Sequence, residues 1–108
     1  FEDRDVFALA KEGDSGIAVV VRIRNGRITS REKMSLRNLD ETNAIIMKTI
    51  VSRFYLETDF VPKDISLPLA PENQDQLVAW LKEKRNGAIH FHIPQKGEKA
   101  KEVRLAFQ

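Results

Sequence analysis

The 108-residue chain contains no cysteine. That excludes a disulfide framework, a thiolate nucleophile and any zinc site of the Cys type, and it fits a reducing cytoplasm. Long hydrophobic runs are missing as well. The longest, Ile17 to Val21, is far too short to cross a bilayer, and no secretory leader is visible, so no membrane partner is expected. A charge excess of either sign is also lacking: 18 basic and 16 acidic residues leave a net charge of +2, too balanced to argue nucleic-acid binding by itself. What remains is 42% hydrophobic and 31% charged, ordinary for a globule with one modest core over residues 1–108. The chain begins at Phe1 and stops at Gln108 inside a helical pattern, so a fragment of a longer multidomain protein is expected.

The order of elements follows from periodicity and punctuation. Asp5 to Lys11 alternates as a strand and is followed by a bend at Gly13-Asp14-Ser15-Gly16. Ile17 to Arg24 forms the next strand. Asn25-Gly26 supplies the positive φ values of a type I′ turn and joins it to a third strand, Arg27 to Leu36. Asn38 followed by Glu41 resembles a capping box, which starts a helix at about Asp40 that runs to Leu56 with an apolar stripe of Ile46, Ile50 and Phe54. A short strand at Ile65 to Leu69 follows. Pro71-Glu72-Asn73 opens a second helix to Arg85, and Asn86-Gly87 ends it as a left-handed cap. Ala88 to Ile93 is a fifth strand closed by Pro94, and Lys99 to Phe107 reads as a last helix.

The passage Ala88 to Ile93, Pro94-Gln95-Lys96-Gly97-Glu98-Lys99 and the helix after it resembles the middle of UvrC, the incision-subunit family of the bacterial UvrABC nucleotide excision repair system. Asp5 to Ala10, Arg24-Asn25-Gly26-Arg27-Ile28, Phe54-Tyr55, Val61 to Ile65 and Trp80-Leu81 follow in the family's order. Together they cover nearly the whole chain. The strand, strand, strand, helix, strand, helix, strand, helix order is that of a ribonuclease H-like fold, an α/β fold with a mixed sheet whose last two strands add in parallel through helical crossovers. The resemblance implies a parent that makes dual incisions around a DNA lesion. One is made by a GIY-YIG nuclease and the other by a ribonuclease H-like nuclease, with magnesium in those domains. It further implies partnership with UvrB, damaged DNA and other UvrC domains in cis.

Within this chain the family's best-known motifs are absent. Nucleases of this fold place carboxylates in the first strand and at the end of the fourth, where two metal ions clamp a phosphodiester. Here those stretches read Phe7-Ala8-Leu9-Ala10 and Leu67-Pro68-Leu69-Ala70. Asp3, Asp5 and Glu72 lie nearby as displaced ligands, but carboxylates at strand ends are usually just solvated. No catalytic residue, cofactor or metal is therefore expected. His90 and His92 share one strand face without a third ligand at recognisable spacing. Ser15, Ser30, Ser35, Ser52 and Ser66 lack an activating motif, and Lys96-Gly97-Glu98-Lys99 lacks the glycine spacing of a phosphate loop. Trp80 and Phe54 read as core residues. The expected role is a catalytically silent, architectural domain, with a displaced-site nuclease or a weak, non-specific nucleic-acid binding module as alternatives. The residues expected to carry DNA or interdomain contacts are Arg22, Arg24 and Arg27 around the hairpin and Lys96, Lys99 and Arg104 after the fifth strand, although a solvated face of mixed charge is the preferred account of them.

Overall fold

Three half-apolar segments separated by two tight turns make an antiparallel meander of β1 (Arg4–Glu12), β2 (Ser15–Arg24) and β3 (Arg27–Leu36). The computed structural model describes residues 2–94. At the β2–β3 turn Asn25 and Gly26 take φ values of 54° and 76°, as a type I′ turn requires. The β1–β2 turn is tighter than the four-residue bend expected. Glu12 already pairs with Ser15, and only Gly13 and Asp14 are left at the tip. Gly16 permits a close approach instead: a Cβ there would stand 2.9 Å from both the Ala10 carbonyl oxygen and Leu39 Cδ1.

Leu39 folds over that hairpin, its amide donating to the Asp14 carbonyl at 2.8 Å. This displaces the start of the first helix from the expected Asp40. Asn38 takes a left-handed φ of 58° and turns the chain, and α1 (Asn43–Leu56) is capped by Thr42, whose Oγ1 accepts from the Ile45 amide at 3.3 Å. β4 (Asp64–Ser66), α2 (Gln74–Arg85) and β5 (His90–His92) complete the described chain. Both short strands are briefer than expected. Leu67 still donates to the His92 carbonyl at 2.9 Å, and then Pro68, without an N–H, ends the ladder. The left-handed cap at Asn86 is as expected, with φ 59° and ψ 47°. The expected helix over residues 99–107 lies outside the described residues.

The sheet order is β3-β2-β1-β4-β5, with β4 parallel to β1 and β5 parallel to β4. Parallel neighbours need crossovers, and α1 and α2 supply them, giving the mixed sheet expected of a ribonuclease H-like domain. Phe7, Val20 and Ile65 on one sheet face pack against Ile46, Met47, Ile50, Val51, Phe54 and Tyr55 of α1 and Leu77 and Leu81 of α2. Val6, Ala8, Val19 and Val21 on the opposite face are buried too, which explains why β1 and β2 read as nearly continuous apolar runs. Phe54 is core, as expected. Trp80 is only partly buried at the rim of the cluster, with the Lys84 ammonium 5.8 Å from its ring centroid. Lys84 also donates to the Tyr55 carbonyl, and Arg85 Nη1 donates to the Val61 carbonyl at 2.8 Å, so the end of α2 ties down the α1–β4 connection.

Candidate functional site

Alternation along β1 sends Asp5, Phe7 and Leu9 to the helical side of the sheet and Arg4, Val6 and Ala8 to the other. A carboxylate is thereby carried into the core. Asp5 is 0% exposed, and a charge there persists only with partners. Two converge on it. The Tyr55 hydroxyl, from the last turn of α1, donates to Asp5 Oδ2 at 2.6 Å, and Arg24 Nη1, from the end of β2, donates to Oδ1 at 3.0 Å. The same Arg24 nitrogen reaches the carbonyls of Arg4 at 3.2 Å and Ile23 at 2.8 Å, and its guanidinium lies 4.7 Å over the Phe60 ring.

Burial pushes the Asp5 carboxyl above its ordinary range, against the opposing pull of the Tyr55 hydroxyl and the Arg24 charge. Burial also drives the Tyr55 phenol well above its usual range, helped by the Asp5 charge and by their hydrogen bond. Around this centre Phe7, Phe54 and Tyr55 form an aromatic trio, with Phe7–Phe54 edge-on at 5.4 Å and Phe54–Tyr55 edge-on at 4.9 Å. Asp5 is thus not the solvated strand-end carboxylate expected from the sequence. It is the hub that fixes β1, β2 and α1 to one another.

The displaced-ligand arrangement does not assemble. Register pairs Asp5 with Ile65 and Arg4 with Asp64, so the carboxylates of Asp5 and Asp64 project to opposite sheet faces. Asp3 Oδ1 accepts the Asn25 amide at 3.0 Å and braces the hairpin. The Glu72 amide bonds the Ala44 carbonyl at the start of α1, whereas Asp5 meets Tyr55 at its end, ~16 Å away along the helix axis. Phe7, Ala8 and Leu67 are all fully buried apolar residues. Among the described residues no group of three or more His, Asp or Glu side chains stands ready to hold a metal. His92 Nε2 lies 2.8 Å from Asp64 Oδ1, and this neighbour holds the Asp64 carboxyl below its usual range although partial burial acts upward. His90 is exposed.

Of the expected contact residues, Arg22 and Arg24 are already engaged. Arg22 pairs with Glu32 Oε2 at 2.8 Å, donates to Thr58 Oγ1 at 3.3 Å and lies 5.0 Å over the Phe54 ring. Arg27 is exposed across the hairpin from Arg24. Lys96, Lys99 and Arg104 lie outside the described residues. Between α1 and the β2–β3 edge runs an open groove of about 420 Å³, whose walls include Val20, Arg22, Glu32, Met34, Arg53 and Phe54. The sequence reading missed Asp5, Tyr55, Glu32 and Thr58 as a connected group. The available signal was one carboxylate immediately before the apolar run Val6 to Ala10.

The fold and this architecture define a ribonuclease H-like domain. Residues 3–108 match the family described as "UvrC Ribonuclease H-like domain", and the chain belongs to that family. It is similar to the "UvrABC system protein C" of Desulforudis audaxviator, 35% identical over 109 residues that cover 99% of this chain and 18% of that protein. The proteins of the same name from Alkaliphilus oremlandii and Clostridioides difficile are 37% and 33% identical, covering 91% and 95% of this chain. The chain spans less than a fifth of the length of these curated relatives.

Proposed function

We propose that this chain acts in nucleotide excision repair as a non-catalytic, architectural domain of a UvrC-type subunit, working in the cytoplasm with UvrB and damaged DNA as partners of the parent and with other UvrC domains in cis. The nuclease activities, and the magnesium they use, belong on this reading to other parts of the parent. The observation that carries it is the state of Asp5. The one carboxylate in β1 on the helical face is consumed by Tyr55 and Arg24, and the nearest carboxylate in β4, Asp64, faces the other way. Metal-assisted phosphodiester cleavage needs carboxylates that converge on one pair of ions. The test is incubation of the chain with ultraviolet-damaged duplex, single-stranded DNA and RNA in magnesium or manganese. No cleavage above buffer is expected, and metal-dependent cleavage that vanishes in Asp5→Ala would restore the displaced-site nuclease.

A further inference from the structure

The outer face of the sheet, turned away from α1 and α2, is dry where no described element covers it. Val6, Ala8, Val19 and Val21 are 3%, 0%, 6% and 4% exposed and form one cluster, with Ile23 packed against it. All of these residues lie on β1 or β2. The buried residues of α1 and α2 belong to the cluster on the other face. Side chains on one face of a pleated sheet stand roughly perpendicular to it, so they shield one another's flanks and leave their tips open. A second layer has to cover those tips.

β3 does not supply that layer. Arg31 and Lys33 share this face beside Val21 and Val19, but both are exposed, and Val6 and Ala8 lie one strand further in. The connections are committed elsewhere: Leu39 folds over the first hairpin, and Leu67 and Leu69 pack with the helical cluster. What is left is Phe1 and residues 95–108, and only the second is long enough. The sequence predicts a helix over 99–107, and at a period of 3.6 Ala100, Val103 and Phe107 share one side of it while Lys101 and Leu105 lie opposite. The reach suffices. β2 stands three strand spacings from β5, about 14 Å, and a link of five residues, 95–99, spans up to ~17 Å.

We propose that residues 99–107 dock on the outer face of the sheet, with Ala100, Val103 and Phe107 seated on Val6, Ala8, Val19 and Val21. The tether favours this occupant over a second copy of the chain, because a short link holds the segment at an effective concentration of about millimolar. Docking makes the domain a three-layer unit of helices, sheet and tail, and it withdraws the outer face from partners and from DNA. The inference goes beyond the architectural role above and does not rest on it. Cleavage of nucleic acid by the chain would overturn that role and leave the docking standing, whereas an open outer face sinks this inference alone.

The test is nuclear Overhauser contact in the intact chain labelled at its valine methyls, which needs no variant to fold. The methyls of Val19 and Val21 should meet the Phe107 ring, whose signals Phe107→Leu assigns. Val103→Asp should lower the urea midpoint and speed exchange of the β1 and β2 amides at least about tenfold, because it sets a charge against the apolar face. Leu105→Asp, on the opposite side of the same turn, should leave both unchanged. Absence of contact between Phe107 and these methyls, contacts seen only between differently labelled copies, or equal effects of Val103→Asp and Leu105→Asp would each overturn the proposal.

Discussion

Replacing Tyr55 by Phe isolates the bond that ties α1 to the buried carboxylate. The ring is kept, so its edge-on contact with Phe54 at 4.9 Å and its tilted contact with Phe7 at 5.9 Å persist. What disappears is a 2.6 Å hydrogen bond to Asp5 Oδ2, in a place where both residues are 0% exposed. A hydrogen bond to a charged partner contributes about 1.5–3 kcal/mol, and an acceptor left buried and unpartnered retains its desolvation cost. Arg24 still holds the other oxygen, so the carboxylate is not abandoned. The expected loss is about 2 kcal/mol, read as a midpoint shift in urea with unchanged slope and as a fall in Tm of roughly 8–16 °C for a domain of this size. Because small domains hold about 5–15 kcal/mol in total, the variant still folds. A double-mutant cycle with Asp5→Ala should then show coupling of similar size, since either substitution removes the contact. A Tyr55→Phe variant within about 0.5 kcal/mol of the parent, the range of an ordinary surface change, would refute the hub.

Acid titration, core truncation and charge reversal test the remaining expectations. The Asp5 carboxyl is raised in the folded state, so its proton-linked stability is present below about pH 3.8 and is lost as pH rises through the raised value; Asp64 is depressed, so its contribution is present above pH 3.8 and is lost as pH falls through the lowered value. The penalty of Asp5→Asn should accordingly grow on acidification and that of Asp64→Asn should shrink, a contrast that urea titrations across acid pH will show or deny. Phe54→Ala should cost about 3–5 kcal/mol and Trp80→Ala clearly less, because the indole sits at the rim; equal costs by thermal melting would place Trp80 in the interior after all. Any DNA affinity should be weak and sequence-independent, with a salt slope that Arg27→Glu reduces by about one unit; reversal of Lys96 and Lys99 in a full-length parent should leave DNA affinity unchanged and alter proteolysis between domains, and loss of affinity with unchanged folding would place a phosphate path there.

The meander, both turns and both crossover helices were legible in the sequence because each has a local cause. Asn25-Gly26 dictates its turn, the spacing of Ile46, Ile50 and Phe54 dictates a helix face, and Asn86-Gly87 dictates an end. The start of α1 was not legible, because Asn38-Leu39 is settled by a contact that is distant in sequence. Leu39 packs over Gly16 and bonds Asp14, and that fold-back overrides a local capping signal at Asn38 and Glu41. The lengths of β4 and β5 were likewise set by pairing between strands, which no single segment displays.

The candidate site was illegible for a stronger reason, which also bears on what the domain does. Asp5 and Tyr55 are 50 residues apart, and only the parallel crossover from β3 through α1 to β4 brings the helix's last turn over the first strand. By residue type alone, Asp5 read as a solvated strand end, with a displaced metal ligand as the lesser alternative. Which it becomes is decided by Arg24, two positions beyond Arg22 on the same face of β2, and by a phenol in place of a second carboxylate. A metal site keeps its carboxylates together and open to ions; this centre surrounds one carboxylate with a cation, a hydroxyl and three aromatic rings. The same topology that could bring carboxylates together here brings a phenol and a guanidinium onto one of them, and the three elements they join, β1, β2 and α1, are held as a unit.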